Sequence, residues 1–285
     1  MKKRKAPKVA LPAQKSEIAQ DMHDFTWLIY GRKKIGKSSL VAHFPGTLFV
    51  PFEPGLRALS VYKIPETGHC MRSWRDFMRY VPAIEESAQF QNIVIDPGNT
   101  AYQRCLEYTC DELNIQHPGK VKDYGASWKA VSQNFQNLHD RLAAAGKSYI
   151  ILAHETTTDI EGYDGREYER VIPKFSGAAE DYYEGVIDII GYYTYVKQYR
   201  VMQIRGDQFT VAGCRVENAF LTPRGERIVR VPMGNNSTEA YNNLYEAYHN
   251  RQQYTFADES ELIEYMKPKG GARKRKTRVR GKTGE

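Results

Sequence analysis

Long hydrophobic runs are missing from this chain of 285 residues. No apolar stretch approaches the roughly 18–20 residues that a membrane-spanning helix needs, so no membrane partner is expected. The basic start MKKRKAPKVALPAQKSEIAQ has no apolar block after it, which argues against a secretory signal. Cysteine is scarce, with only Cys70, Cys105, Cys110 and Cys214. Cys105 and Cys110 lie five apart on an expected helix, with no second cysteine pair and no histidine pair in register. That pattern argues against a disulfide framework and against zinc, and for buried thiols in a reducing cytoplasm. No internal repeat is visible.

Charge of one sign is also missing from the middle of the chain. The net charge of +7 is misleading until it is located. Residues 1–15 carry six basic residues and no acid, and residues 267–285 carry nine basic residues and one acid, Glu285. Without those fifteen bases and one acid, the 41 and 34 of the whole chain fall to 26 and 33, a body near −7. The basicity therefore lives in two tails. Such tails are expected to be disordered and to attract polyanions, with Lys274, Arg275, Lys276, Arg278 and Arg280 as nucleic-acid contacts. The bland alternative is that they serve solubility.

What is present is an alternation of strand and helix patterns. FTWLIYG (25–31), TLFVPFE (47–53), FQNIVIDPGN (90–99) and SYIILAHE (148–155) read as buried strands, short, apolar and bounded by polar or turn residues. Helices are expected from Ser38 to Phe44, over 72–87 with an interruption near Pro82, over 100–114 and over 126–146. In the last of these, Trp128, Val131, Phe135, Leu138 and Leu142 form one apolar face and Gly146 stops the helix. This alternation implies a parallel sheet with right-handed crossovers. Residues 156–177 are polar and predict a long loop or hairpin. The segments VIDIIGYYTYVK, YRVMQIRG, FTVAGCRV and ERIVRVP predict an antiparallel meander. Two helices then follow, STEAYNNLYEAYHNR with Ser237 as candidate N-cap, and DESELIEYM.

In a parallel sheet the ligand sits beyond the carboxyl ends of the strands. Those ends carry Gly31, Glu53, Asp96 and His154-Glu155. The stretch GRKKIGKSS fits G-x-x-x-x-G-K-[ST] between an expected strand and helix. Its glycines let backbone N–H groups curl around phosphate oxygens. Gly31, Arg32, Lys33, Lys34, Ile35, Gly36, Lys37, Ser38 and Ser39 are thus the expected nucleotide contacts. Lys37 would reach the β- and γ-phosphates, and Ser38 would offer its hydroxyl to Mg²⁺, with ATP as the nucleotide. Asp96, ending NIVID, is placed to hold the Mg²⁺ shell; the alternative is a cap for the next helix. Glu53 is placed to orient or deprotonate the water that attacks the γ-phosphate; the alternative is a turn carboxylate. His154 is placed to sense the γ-phosphate; the alternative is a histidine satisfying strand-end backbone groups.

The order of phosphate loop, strand-end Glu, strand-end Asp and strand-end polar residue resembles that of RecA-like ATPases. More narrowly, WLIYGRKKIGKSSL, LFVPFEPGLRAL, IVIDPGN and YIILAHE, with GREYERVIPKFSG, VIDIIGYYTYV and CRVENAFLTPRG, are similar to the phage-type RecA-like nucleotide-binding proteins. That group includes single-strand-annealing recombination ATPases of bacteriophages, and the resemblance spans about residues 24–230. It implies a RecA-like P-loop core with a mostly parallel central sheet, an antiparallel extension and C-terminal helices. It also implies Glu53 as the catalytic glutamate, Asp96 as the metal-side aspartate and His154 as the sensor. Pro97 departs from the pattern, where serine or threonine commonly follows the aspartate.

The expected organisation is a basic tail (1–15), an ATPase core (16–235), a helical segment (236–266) and a second basic tail (267–285). The expected function is a DNA-associated ATPase of recombination, annealing or replication in the cytoplasm of a bacterial host. ATP would bind between protomers of a homo-oligomer, with single-stranded DNA and a single-stranded-DNA-binding protein as partners. Arg200, Arg205 and Arg215 are candidates for a cationic finger between protomers. The 156–177 loop would couple the site to DNA, but it mixes Arg166, Arg170 and Lys174 with five acids. The competing readings are a P-loop nucleotide or small-molecule kinase and a non-hydrolysing nucleotide-dependent scaffold.

Overall fold

In a computed structural model of the chain, described for residues 12–16, 19–162, 165–175 and 178–267, the apolar segments meet in one sheet. The first strand, β1 (Trp27–Gly31), is buried along its whole length. A strand buried on both faces reads as a continuous apolar run because no side of it meets water. β2 (Thr47–Pro51), β4 (Asn92–Asp96) and β5 (Ser148–Ala153) share that character. A two-residue strand, β3 (Tyr62–Lys63), extends the β2 edge and has no apolar signature.

Beyond β5 the chain forms β6 (Glu155–Glu161) and β7 (Glu167–Pro173), an antiparallel pair separate from the main sheet. This is the hairpin alternative expected for the polar loop. Then come β8 (Ile189–Val196), β9 (Tyr199–Gln203), β10 (Gly213–Cys214) and β11 (Arg230–Pro232). The main sheet has the order β11-β9-β8-β1-β5-β4-β2-β3, with β10 pairing β8. β1 is parallel to both β5 and β8. The meander expectation therefore holds for β8, β9 and β11, while β8 itself joins the parallel core.

The expected α/β class, a mostly parallel sheet with an antiparallel extension and C-terminal helices, is the architecture observed. One face is covered by α2 (Trp74–Glu86), α3 (Gly98–Leu113), α4 (Ala126–Ala144) and α5 (Ala178–Val186), the other by α1 (Lys37–Val41) and α6 (Ser237–Tyr248). A last helix, α7 (Glu259–Met266), packs Leu262 with Phe256 against Val196 and Val201 of the extension. Among the described residues, no helix is long and apolar enough to cross a membrane.

Several local expectations are corrected. Pro82 lies inside α2 and does not interrupt it. A proline there removes one helical hydrogen bond, but Trp74, Phe77, Val81 and Ile84 bury one face of α2 across that position. The N-cap of α6 is Asn236, whose side chain accepts from the Glu239 N–H, and Ser237 is the first helical residue. α5 was not expected. Cys105 and Cys110 are buried, but Cys70 and Cys214 only partly, and all four are free thiols. In α4, Val131, Phe135, Leu138 and Leu142 are buried, whereas Trp128 is 40% exposed, one turn beyond the core.

That difference is testable by chemical denaturation. Phe135 packs edge-on against Tyr102 and Tyr183 in the core. Phe135→Ala should cost about 3–5 kcal/mol, the usual cost of emptying a buried aromatic site. Trp128→Ala should cost about 1 kcal/mol or less, as for a surface change. Equal losses would contradict the placement of Trp128.

Candidate functional site

The loop after β1 turns sharply, and two glycines make the turn possible. Gly31 has φ +149°, and a side chain there would overlap the Tyr193 carbonyl on β8. Gly36 has φ +111° and is the N-cap of α1, which has no side-chain cap. Only glycine takes such angles without strain. The loop curls back so that the Lys37 ammonium donates to the carbonyls of Gly31 and Arg32, both at 2.8 Å. Burial of this ammonium pushes its pKa down to about 8, against the pull of Asp96 and Glu155 in the other direction. A desolvated ammonium beside an open N-cap is a setting that an anion would improve.

β5 lies between β1 and β4, so that the ends of three strands meet at one edge. There the Ser38 hydroxyl donates to Asp96 Oδ2 at 2.6 Å. Burial raises the Asp96 pKa, opposed by the Ser38 hydrogen bond and by the Lys37 charge. A hydroxyl beside a carboxylate is an oxygen pair suited to Mg²⁺, which prefers hard oxygen ligands and keeps several waters. Among the described residues no cluster of three His, Cys, Asp or Glu side chains could hold a metal alone. Phosphate and water oxygens would therefore have to complete the shell of an ion held at Ser38 and Asp96.

Glu53 is exposed beyond β2, and its Oε1 accepts from the Thr100 hydroxyl at 2.6 Å. Thr100 lies in the first turn of α3, just after Asp96, so one short segment supplies both the carboxylate and the residue that orients Glu53. Both ring nitrogens of His154 are buried without a hydrogen-bond partner. Burial, and then the charge of Lys37, lower its pKa, so the ring is neutral at pH 7. A neutral ring offers one donor and one acceptor. The structure thus brings Lys37, Ser38, Asp96, Glu53 and His154 to one sheet edge. The C-terminal candidates Lys274, Arg275, Lys276, Arg278 and Arg280 lie outside the described residues.

Sequence reasoning gave no role to Thr100 or Tyr192 and did not foresee that Arg32 and Glu155 pair. Arg32, in the loop, pairs with Glu155 at 3.3 Å, and Glu155 also accepts from the Tyr192 hydroxyl at 2.9 Å. Glu155 begins β6, so this contact joins the phosphate loop to the β6–β7 hairpin. Its signal was its place beside His154. Thr100 had a signal too, its position in the first turn after the strand-end aspartate. Of the three finger candidates, Arg205 donates to the Cys214 and Ala219 carbonyls. Arg215 donates to the Gly185 carbonyl. Cys214 pairs with Ile189 at the start of β8, the sheet edge opposite the loop. Only Arg200 stands near the loop.

A family model described as an AAA domain matches residues 23–216, about two thirds of the chain. A curated relative is the SPbeta prophage-derived uncharacterized protein YorG of Bacillus subtilis (strain 168). It is 24% identical over 147 residues, which is 50% of this chain and 44% of the relative. The chain thus matches less than half the length of that relative. Among solved structures, the KaiC-like protein PH0186 from Pyrococcus horikoshii OT3 aligns with 67% of this chain and 83% of its own. The TM-score is 0.39 and the identity 15%.

The lowered Lys37 pKa sets a pH dependence for anion binding. A triphosphate beside the ammonium favours its charged form and raises the value from about 8. Binding of Mg·ATP should therefore take up protons, and affinity should fall as pH rises above the free value. At about pH 8.5 the expected uptake is roughly half a proton or more, read from binding enthalpies in buffers of different ionisation heat. Buffer-independent enthalpies, or proton release, would speak against Lys37 as the phosphate contact.

Proposed function

The chain belongs to the AAA domain family, and from that premise we propose that it binds and hydrolyses ATP with Mg²⁺ and acts on DNA in phage recombination, single-strand annealing or replication. The observation that carries the reading is the meeting of Lys37, the Ser38–Asp96 pair, the Glu53–Thr100 pair and His154 at one edge of the sheet. The prophage-derived relative supports the phage setting. The RecA-like character and the role in annealing rest on the motif resemblance.

In this reading the loop N–H groups and Lys37 hold the β- and γ-phosphates. Ser38 and Asp96 hold Mg²⁺, which supplies neutralisation of charge on the phosphate oxygens. Glu53, aimed by Thr100, takes a proton from water as that oxygen bonds to the γ-phosphorus. The bond from the γ-phosphorus to the bridging oxygen breaks, giving ADP, inorganic phosphate and one proton. His154, with its two free ring nitrogens, hydrogen-bonds the γ-phosphate. Loss of that bond after hydrolysis is felt directly by β6, because Glu155 follows His154 in the chain. The open, exposed position of Glu53 and Arg32 suits a site completed by a second copy of the chain.

The β6–β7 hairpin carries Glu155, Asp159, Glu161, Glu167 and Glu169 against Arg166, Arg170 and Lys174. This charge balance makes it a poor clamp for a polyanion. Non-specific attraction for DNA is therefore assigned to residues 1–15 and 267–285. One observation favours a competing reading. A cleft of about 840 Å³ is lined among others by Pro54, the residue after Glu53, and by His69, Cys70, Arg72 and Arg79. A kinase would use such a cleft for a phosphate acceptor.

Turnover of ATP with and without single-stranded DNA, across a salt series, separates these readings. Lys37→Ala should abolish binding or turnover in a folded protein. Glu53→Gln should keep Mg·ATP binding and lose about 10²-fold or more in hydrolysis. A parental rate in Glu53→Gln would leave the glutamate a turn residue, and phosphate transfer to a non-water acceptor would select the kinase.

Deletion of residues 270–285 should weaken binding of a labelled single-stranded oligonucleotide and flatten its salt dependence, since fewer counterions are released. Basal ATP turnover should change little. An unchanged affinity and slope would assign DNA contact to the folded body.

A further inference from the structure

The phosphate loop has a neighbour on the side away from Asp96. β8 lies against β1 opposite β5, and it turns into β9 at the edge where the loop stands. Arg200 on β9 pairs with Tyr195 on β8, which places it on the same sheet face as Tyr193. That face is the one covered by α1. The Arg200 Nε and Nη2 both donate to the Gly234 carbonyl, at 3.2 and 3.0 Å. These two bonds fix the plane of the guanidinium and leave Nη1 towards the loop. It lies 3.4 Å from the point where a Cβ on Gly36 would stand, and the Tyr193 hydroxyl lies 3.8 Å from the same point. Tyr193 is fully buried, yet its hydroxyl has no hydrogen-bond partner. A buried hydroxyl without a partner costs free energy unless something completes it. Two donors thus converge on the last glycine of the loop, from strands that supply nothing to the Glu53–Asp96 side.

We propose that Arg200, with the Tyr193 hydroxyl, is a nucleotide-binding residue of its own protomer that holds the α-phosphate end of the bound nucleotide. This rests on the reading that the loop binds a nucleoside triphosphate. The direction of the nucleotide follows from where the reacting groups stand. Lys37, the Ser38–Asp96 pair, Glu53 and His154 belong to the loop, β2, β4 and β5, so the γ-phosphate lies on that side. A triphosphate passing through the loop then has its α-phosphate and ribose towards β8 and β9. Arg200 stands there already oriented, so little rotamer freedom is lost when it meets a phosphate oxygen. Its bonds to Gly234 tie it to its own loop, which is unlike a finger that must reach the γ-phosphate of a neighbouring protomer. An α-phosphate contact is present in ATP, in ADP and in the transition state alike. Uniform binding of that kind lowers KM and leaves kcat nearly untouched.

The test measures Kd for Mg·ATP and for ADP, with KM and kcat, in the full chain and in Arg200→Ala, Arg200→Lys and Tyr193→Phe. Arg200→Ala should weaken ATP and ADP by the same factor, about 10-fold or more, the scale of a hydrogen bond to a charged group. KM should rise by that factor while kcat falls far less. Arg200→Lys should recover part of the affinity for both nucleotides. Tyr193→Phe keeps the buried ring and should weaken both by a few-fold, which reads the site even if Arg200→Ala does not fold. A loss of kcat with unchanged ADP affinity would overturn the proposal in favour of a γ-phosphate finger. Unchanged affinity for both nucleotides with a lowered melting temperature would overturn it in favour of a brace for Gly234. Failure of the parent chain to bind either nucleotide would overturn the nucleotide reading itself, a result distinct from the other two.

Discussion

A buried ammonium bound to two main-chain carbonyls holds the site in shape. Lys37 is only 8% exposed, and its bonds to the Gly31 and Arg32 oxygens draw the loop into a closed curl. That curl demands positive φ at Gly31, Lys34 and Gly36, and a backbone without a side chain where β1 meets Tyr193. Burying a charged group this deeply costs free energy, which the two carbonyls offset in part. The lowered pKa records the remainder. A polyanion at the loop would cancel that remainder, so the desolvation cost at Lys37 and the phosphate affinity proposed for the loop would have the same origin.

The position of β5 decides which residues surround that ammonium. Because β5 separates β1 from β4, Asp96 reaches Ser38 across the end of one strand, and His154 stands between them at the top of β5. The hairpin of β6 and β7 starts from the next residue. Its first glutamate is held by Arg32 from the loop and by Tyr192 from β8. Tyr192 stacks on Tyr30, whose hydroxyl donates to the Val211 carbonyl. The hairpin is tied to the same place, since the Val171 N–H donates to Phe209 and the Val211 N–H to Val171. Under the proposed function, a change at the γ-phosphate would reach the hairpin through a packed path and not through a loose linker.

Much of this was legible in the sequence because the signals are local. An apolar run ending in glycine, aspartate or histidine marks a buried parallel strand and its functional end at once. The face of α4 was legible from Val131 to Leu142, and failed at Trp128 only because the helix outruns the core it packs on. The parallel pairing of β8 with β1 was not legible. It needs a crossover from β7 through α5, and nothing in VIDIIGYYTYVK distinguishes a parallel from an antiparallel neighbour. Which of the candidates Arg200, Arg205 and Arg215 stands at the loop was unreadable for the same reason, and it is Arg200. Its place at the loop comes from sheet pairing between segments more than 160 residues apart, while Arg205 and Arg215, close to it in sequence, face the other edge.

The charge distribution fits a division of labour between the body and the ends of the chain. The body is acidic by count, near −7, while the ends hold fifteen of the 41 basic residues. Within the body, basic side chains gather where anions would be useful: Arg32, Lys33, Lys34 and Lys37 in the loop and Arg200 beside it. An acidic surround disfavours non-specific contact between the folded body and a polyanion such as DNA. It would have little influence on a compact nucleotide in the loop, where short, partly desolvated contacts would outweigh charges many ångströms away through screening solvent. Under the proposed function the two kinds of anion would therefore be separable by salt. DNA contacts made by the basic ends would lose strength steeply as salt rises, whereas nucleotide contacts at the buried Lys37 and the half-buried Arg200 would lose little.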